Sequence, residues 1–573
     1  MRRTVWALAL VFASCGGDDP TTAPAPADGV RSEEDVRFEE DAWFEEEGAA
    51  RGLAFVHQSG HAERYLYPEI ICGGGALFDK DGDGDLDAYL VQAGGVLTPP
   101  AQRPPNQLFA NDGSGRFSDV SAASGADDRG YGMGVATGDA DADGDTDLYV
   151  TNLGQNALLV NDGGGRFADG TDVARAGEER WSTSAAFFDA ERDGDLDLFV
   201  VNYILWTVES ERTCYATPHG EDYCGPKAYD NPAPSTFLVN QGDGTFVDRS
   251  SAAGLLGAFG NGLGVGILDF DSDGWLDVFV ANDGTRNNLW VNRHDGSFAE
   301  RALAAGCAVD QDGQLKAGMG VGVLDLDDDA DEDLLVVNLA NEHDSFYRDE
   351  GDFFADRTAA VGLTRVGRKF TRFGVGLVDF DNDGRVDLYQ ANGRVSRAAE
   401  SAGGDPFAEL NLLYRGVGGA VGGAALPHFD EVLPRGGTAA PLLATSRAAA
   451  FGDVDGDGGV DVLVVNRDGP AHLLMNRVAG RGAWIRLRVL ERHGSDALGA
   501  LLTIRAGVRT LTRRVRSDTS YCAANDPRVH LGLGSTPGVD EVVVRWIDGT
   551  EESFGALAAG REWTLVRGSA RAR

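Results

Sequence analysis

Long apolar runs are missing from this 573-residue chain. The most apolar stretch, residues 4–14, is too short to cross a bilayer, and no other reaches 18 apolar residues, so no spanning helix is expected. Positive charge is scarce. The 50 Lys and Arg stand against 91 Asp and Glu, a net charge of -41 that argues against nucleic acid and anionic lipid as partners. Cysteine is limited to six residues and histidine to nine, with no paired His or Cys at metal-ligand spacing, which argues against zinc and copper. Phosphate-cradling glycine loops are also absent, because each Gly-x-Gly precedes an acidic loop that would repel a phosphate.

What the chain has instead is acid, concentrated in seven nine-residue loops that share one frame: Asp at positions 1, 5 and 9, Asp or Glu at 3 and a small residue at 6. At positions 1, 3, 5, 7 and 9 the first loop has Asp79, Asp81, Asp83, Asp85 and Asp87, and the second has Asp139, Asp141, Asp143, Asp145 and Asp147. The third has Asp189, Glu191, Asp193, Asp195 and Asp197, and the fourth Asp269, Asp271, Asp273, Trp275 and Asp277. The fifth has Asp325, Asp327, Asp329, Asp331 and Asp333, the sixth Asp379, Asp381, Asp383, Arg385 and Asp387, and the seventh Asp453, Asp455, Asp457, Gly459 and Asp461. These loops hold 34 of the 91 acidic residues, so the negative charge is local rather than spread.

A hard divalent cation needs about six to eight converging oxygens, and alternate residues of a tight loop aim inward together. Positions 1, 3, 5 and 9 supply carboxylates and position 7 its carbonyl, which is why Trp275, Arg385 or Gly459 can stand at 7. Position 6 calls for the positive φ that Gly adopts at least cost. Oxygen-only ligands point to calcium, up to seven ions in a structural role. Two loops depart from the frame. Glu191 adds a methylene that shifts its ion, and Ala330 at position 6 costs about 1 kcal/mol of strain, so the fifth loop is expected to be the weakest site.

Each loop sits in the same unit: a Gly-rich apolar strand, the loop, a strand ending in Asn, then Asn-x-Leu-x-x-Asn and Gly-x-Phe-x-Asp. In the second unit these are residues 132–136, 148–152, 156–161 and 165–169. Four short strands bounded by Gly, Asn and Asp turns make a small antiparallel sheet. The first aspartates recur at spacings of 60, 50, 80, 56, 54 and 74 residues, which predicts propeller blades. The expected fold is all-β, a seven-bladed β-propeller with calcium-binding loops followed by a small C-terminal β domain. The seventh unit lacks its Gly-x-Phe strand, and residues 52–58 are expected to supply it and close the ring.

The third unit carries a polar, Pro-rich insertion, residues 207–234, in which Cys214 and Cys224 can bridge. Closing a ring of about 11 residues contributes roughly 2 to 3 kcal/mol in the chain-entropy model. A stapled loop on a rigid scaffold is the first candidate partner surface. Cys72, Cys307 and Cys522 are expected to be buried free thiols.

Residues 1–15 have the n-region and h-region of an export signal, and Phe12-Ala13-Ser14-Cys15 reads as a lipobox ending at a lipidated Cys15. The expected location is the outer membrane or cell surface, or else secretion. Residues 16–50 read as an acidic, Pro/Ala-rich tether with a short helix, 51–477 as the propeller and 478–568 as the separate β domain. From residue 477 onward 16 Lys and Arg face 10 Asp and Glu, so this basic tail is expected to dock on the acidic body.

With these loops and strands, residues 72–477 resemble the calcium-binding repeats of integrin α-chain propellers and their bacterial relatives, the FG-GAP or VCBS repeats. Ala497-Leu-Gly-Ala500, Val529-His530-Leu-Gly-Leu-Gly534 and Val544-Arg-Trp-Ile-Asp-Gly549 resemble the ASPIC/UnbV domain, which follows such a propeller in the cartilage acidic protein family. Arg394 departs from the family's Asn-Gly-His, and Ser520-Tyr-Cys-Ala-Ala from its Gly-Tyr-Leu-Ser-Gln. The resemblance implies an extracytoplasmic calcium-binding propeller acting in adhesion or matrix binding. The partner expected is an extracellular protein or glycan, with no nucleic acid and with membrane contact only through Cys15. The rival reading is an enzyme with its site at the propeller mouth near His57, Glu69 and Cys72. No spacing supports a triad there, so no catalytic residue is assigned and the chain is read as a non-enzyme.

Overall fold

The computed structural model describes residues 42–570 apart from 217–219, 399–403 and 421–422. The export signal, the lipobox and most of the tether lie outside the described residues. Among those described, no helix is long and apolar enough to cross a membrane.

Seven sheets, each with four antiparallel strands, occupy residues 44–476. The second sheet shows the common plan: Gly132–Gly138, Asp147–Asn152, Ala157–Asn161 and Phe167–Asp169, paired in that order. Its first two strands are buried along their whole length, because both faces of each sheet pack on neighbouring sheets. Between the first and second sheets, for example, Phe78, Tyr89 and Leu108 pack with Val135, Leu148 and Leu159.

The first strand of every sheet packs against the first strand of the next, and Ser446–Gly452 of the seventh returns to Gly75–Phe78 of the first. Crowding where these strands converge explains their glycines. A Cβ on Gly264 would lie 2.1 Å from the Met319 carbonyl oxygen, and one on Gly320 2.0 Å from that of Phe373.

The strand completing the seventh sheet is Phe44–Glu46, antiparallel to His472–Asn476 with Phe44 opposite Asn476. This corrects the expectation for residues 52–58. Those residues do alternate buried and exposed, but they pair with the seventh unit through a single β-bridge, Val56–Pro470, rather than as a strand, and wedge Leu53 and Phe55 between the seventh and first sheets. Phe44 wins the edge because its ring has a seat against Phe380 and Tyr389, at centroid distances of 5.2 and 6.1 Å. The helix expected before residue 50 is likewise replaced, in its described part, by this strand and the 3-10 turn Ala49–Arg51.

The C-terminal region folds as two sheets. One holds Val529–Gly534, Ala483–Leu490 and Arg561–Val566, and the other Arg509–Arg514, Leu501–Ala506, Gly538–Arg545 and Glu551–Ala558. Its core is continuous with that of the repeats, Ile485, Leu487 and Leu502 packing in one cluster with Ala136, Tyr149 and Leu198. The segment between its sheets, residues 515–526, enters the axis of the ring and bonds to the first strand of all seven sheets. Ala523–Ala524 adds a parallel strand to Gly75–Phe78. Ser517 Oγ donates to the Thr137 carbonyl at 2.9 Å, and Ser184 Oγ accepts from the Cys522 amide at 3.1 Å. Asp518 accepts from the Ile267 amide at 2.8 Å, the Ser520 amide donates to Val321 at 2.7 Å, and Ser520 Oγ links Val375 and Ala449. Thr519, Ser520 and Cys522 take positive φ to make this turn.

Candidate metal-binding loops

One set of hydrogen bonds shapes all seven loops. The position 9 carboxylate, at the start of the second strand, accepts the amide of position 2 and an amide of the third strand. In the second loop Asp147 takes Ala140 N–H at 2.8 Å and Asn161 N–H at 2.7 Å, and it is completely buried. Position 1 accepts the amide of position 6, as Asp139 does from Gly144 at 3.0 Å. Position 5 accepts the amide of position 7, as Asp143 does from Asp145 at 3.1 Å. The same bonds recur, for example, at Asp461, Asp453 and Asp457 of the seventh loop.

This backbone cage leaves oxygens facing one another. Asp139, Asp141 and Asp147 each offer one within 4.8 Å of the others, as do Asp79, Asp81 and Asp87, Asp379, Asp381 and Asp387, and positions 1, 3 and 5 of the fourth and fifth loops. At position 3, Asp81 Oδ1, Asp141 Oδ1, Glu191 Oε2, Asp327 Oδ1 and Asp455 Oδ1 are buried with no hydrogen-bond donor. A buried anionic oxygen without a donor is costly, and its recurrence at one position of five loops fits a hard cation at the centre of an all-oxygen donor set. Burial pushes Asp87 up to about 7, Asp147 to about 8 and Asp197 to about 9, against two amide donors that pull each down.

Position 6 has positive φ in every loop, including Ala330 at +83°, so the strain expected there is present. Position 4 is left-handed too, at Ala142, Arg192, Ser272, Asp328 and Asn382 as well as Gly82 and Gly456. Sequence reading missed this because the varied side chains hide the shared backbone. At position 7 the side chains turn to other work. Trp275 stacks on His294 at 4.6 Å with the Arg192 guanidinium 4.7 Å above its ring, and Arg385 pairs with Asp383 at 3.1 Å.

The basic C-terminal region lies on the loop face, as its charge suggested. Arg488 reaches Asp79 at 2.9 Å, Arg486 reaches Asp453 at 2.8 Å and Arg545 reaches Asp269 at 3.4 Å. Thr512 donates to Asp325 at 2.5 Å, and His493 stands 3.5 Å from Asp139. First-position carboxylates therefore serve the loop and the docking surface together.

Across the other end of the ring runs the insertion, with Cys214 and Cys224 disulfide-bonded and Cys72, Cys307 and Cys522 buried and free, as expected. Its Tyr223 OH donates to Glu69 at 2.9 Å and accepts from Arg467 at 3.1 Å, and Asp222 accepts the Arg397 amide at 2.8 Å. Glu69 also pairs with His61, at 2.7 Å, which sequence reading did not single out. Cys72 bonds to the Glu69 carbonyl and faces Tyr131, and burial pushes its thiol up to about 12. His57 accepts the Asp468 amide, and burial holds its ring near 4 and so neutral. The side chains of His57, Glu69 and Cys72 thus make no hydrogen bond to one another, and each lies beneath the surface.

Comparison with known proteins assigns the class. An FG-GAP-like repeat model matches residues 79–150, 139–200 and 269–336, which contain the first five loops, and the ASPIC and UnbV model matches residues 491–572. The chain is an all-β protein of FG-GAP-like repeats with an ASPIC/UnbV domain. It is homologous to cartilage acidic protein 1, being 26% identical over 331 residues to the human protein and 25% to that of the mouse. Those matches cover 57% of this chain and 46% and 48% of the relatives, so the chain spans about half the length of the curated relatives it matches. Among solved structures, a six-bladed β-propeller lectin from Aleuria aurantia aligns with TM-score 0.30 at 13% identity, over 66% of this chain and 99% of that one. The rhamnogalacturonan lyase YesW aligns with TM-score 0.35 at 14% identity, over 70% and 71%.

Proposed function

We propose that the seven sheets are blades of a calcium-stabilised propeller, exported and anchored through Cys15, that binds an extracellular protein or glycan. The observation that carries the metal is the buried position 3 oxygen without a donor, repeated in five loops of one backbone design. Calcium is structural in this reading, because each site is enclosed by the loop and lies under or beside the docked C-terminal region. Binding rather than catalysis is favoured because segment 515–526 fills the axis and the insertion covers the opposite end. The insertion offers the partner surface: Tyr215 on its described part is 70% exposed.

Thermal melts in calcium and in EDTA test the metal. Chelation is expected to lower the melting point, since a ligand bound only to the folded state stabilises it, and an unchanged melting point refutes the calcium reading. Pull-downs from an extracellular extract, with wild type and with residues 207–234 shortened, test the binding surface. Equal capture by both would move the partner site elsewhere.

A further inference from the structure

The seven loops are alike in backbone but differ in the cations their own chain brings to them. In the fifth, Arg348 Nε lies 2.7 Å from Asp327 Oδ2 and its Nη2 2.8 Å from Asp329 Oδ2, so one guanidinium ties the carboxylates of positions 3 and 5 together. Its third nitrogen reaches Glu350 at 2.9 Å. In the sixth, Arg415 spans Asp381 at 2.6 Å and Asp383 at 3.4 Å. Both arginines hold the same register place, one residue beyond Tyr347 and Tyr414 on the third strand, where the second, third and fourth sheets have Val160, Val239 and Val291. Among the described residues, no lysine or arginine forms an ion pair with positions 3 or 5 of the second and third loops. There Asp141 and Glu191 keep a buried oxygen without a donor, as Asp327 does in the fifth loop, but no guanidinium ties their carboxylates together.

From this we infer that one third-strand position separates a calcium-dependent arc, the second and third loops, from an arginine-held arc, the fifth and sixth, while the first and seventh loops draw Lys80, Arg51 and Arg481 from elsewhere in the chain. Calcium shapes the second and third loops, whereas the fifth and sixth are held by Arg348 and Arg415, keep their conformation without calcium and bind it more weakly. This inference rests on the calcium reading above. A guanidinium is always charged and presents a rigid fork that fixes two carboxylates at one separation. A cation entering the fifth loop meets that positive charge on the same two ligands and must share or displace it. Arg348 is only 16% exposed against 41% for Arg415, so solvent screens its effect less and the fifth loop is the firmer of the two. Thr512 on Asp325 and Arg509 on Asp328, at 3.0 Å, add metal-independent support to the fifth loop.

The division has a functional consequence. The insertion belongs to the third unit, inside the calcium-dependent arc, while the fifth and sixth loops carry docking contacts of the C-terminal region. Falling calcium would therefore loosen the acidic loop of the unit that carries the insertion while leaving the fifth- and sixth-loop contacts of the C-terminal region in place.

Hydrogen exchange on the full chain, in calcium and after EDTA, tests this locally. Chelation is expected to speed exchange in residues 143–147 and 193–197 by at least about tenfold, and in 329–333 by less than about twofold. Arg348→Gln should make 329–333 calcium-sensitive, and the reciprocal Val160→Arg should make 143–147 insensitive. Equal acceleration of the second and fifth loops in wild type would overturn the inference. So would an Arg348→Gln protein of unchanged circular dichroism whose fifth loop stays insensitive. If no loop responds to chelation, the calcium reading itself is refuted and the inference with it.

Discussion

Replacing Asp147 by Ala separates what the carboxylate does for the fold from what it does for a metal. Asp147 is fully buried and accepts two backbone amides, Ala140 at 2.8 Å and Asn161 at 2.7 Å. Its removal leaves both amides buried without an acceptor, at about 1 to 3 kcal/mol each, so a loss of about 2 to 6 kcal/mol is expected even in EDTA. In calcium the variant also forfeits the stabilisation from its ion, which at 100 times the dissociation constant is about 2.7 kcal/mol. Urea unfolding of wild type and Asp147→Ala, each in calcium and in EDTA, yields four stabilities. The difference between the two losses is the metal's share. Equal losses in both media would show that Asp147 ligates nothing, and a loss in EDTA under about 1 kcal/mol would refute the amide argument.

Metal-free protein should become more stable as pH falls from 9 to 7. Burial raises Asp87, Asp147 and Asp197 to about 7, 8 and 9, so in this window the folded state binds protons that the unfolded state, with carboxylates near their ordinary values, does not. Melts in EDTA at the two pH values check the sign, and a higher melting point at pH 9 contradicts it. Tyr521→Ala should cost about 3 to 5 kcal/mol, since this fully buried side chain stands at the ring axis and donates to the Ile71 carbonyl at 2.7 Å. Denaturant unfolding measures it, and a loss under about 1 kcal/mol would mean the axial segment is dispensable. Replacing Cys214 and Cys224 together by Ser should remove roughly 2 to 3 kcal/mol while leaving the calcium-dependent share unchanged. A changed calcium share would tie the insertion to the loops.

The loops were the most legible part of this protein because their geometry is local. Ligands two residues apart and a positive φ at position 6 are written within nine residues, and Ala330 could be marked as strained from its type alone. The four-strand unit was legible for a similar reason, since turn residues and short apolar runs alternate within one repeat. Position 4 was not, because the left-handed backbone there accepts Arg192 and Ser272 as well as glycine, and residue type then carries no signal.

What only the tertiary structure decided is which distant pieces meet. Two segments could have closed the ring, and the choice of Phe44–Glu46 depended on a pocket built by Phe380 and Tyr389, more than 300 residues away. The axial segment has no periodicity to read, since its order comes from seven separate strands that supply its hydrogen bonds. Arg348 looked like an ordinary strand residue until the register placed its guanidinium between Asp327 and Asp329. Sequence by itself determined that seven acidic loops of one design exist. The packing of the sheets and the docking of the C-terminal region determined which cations those loops already have.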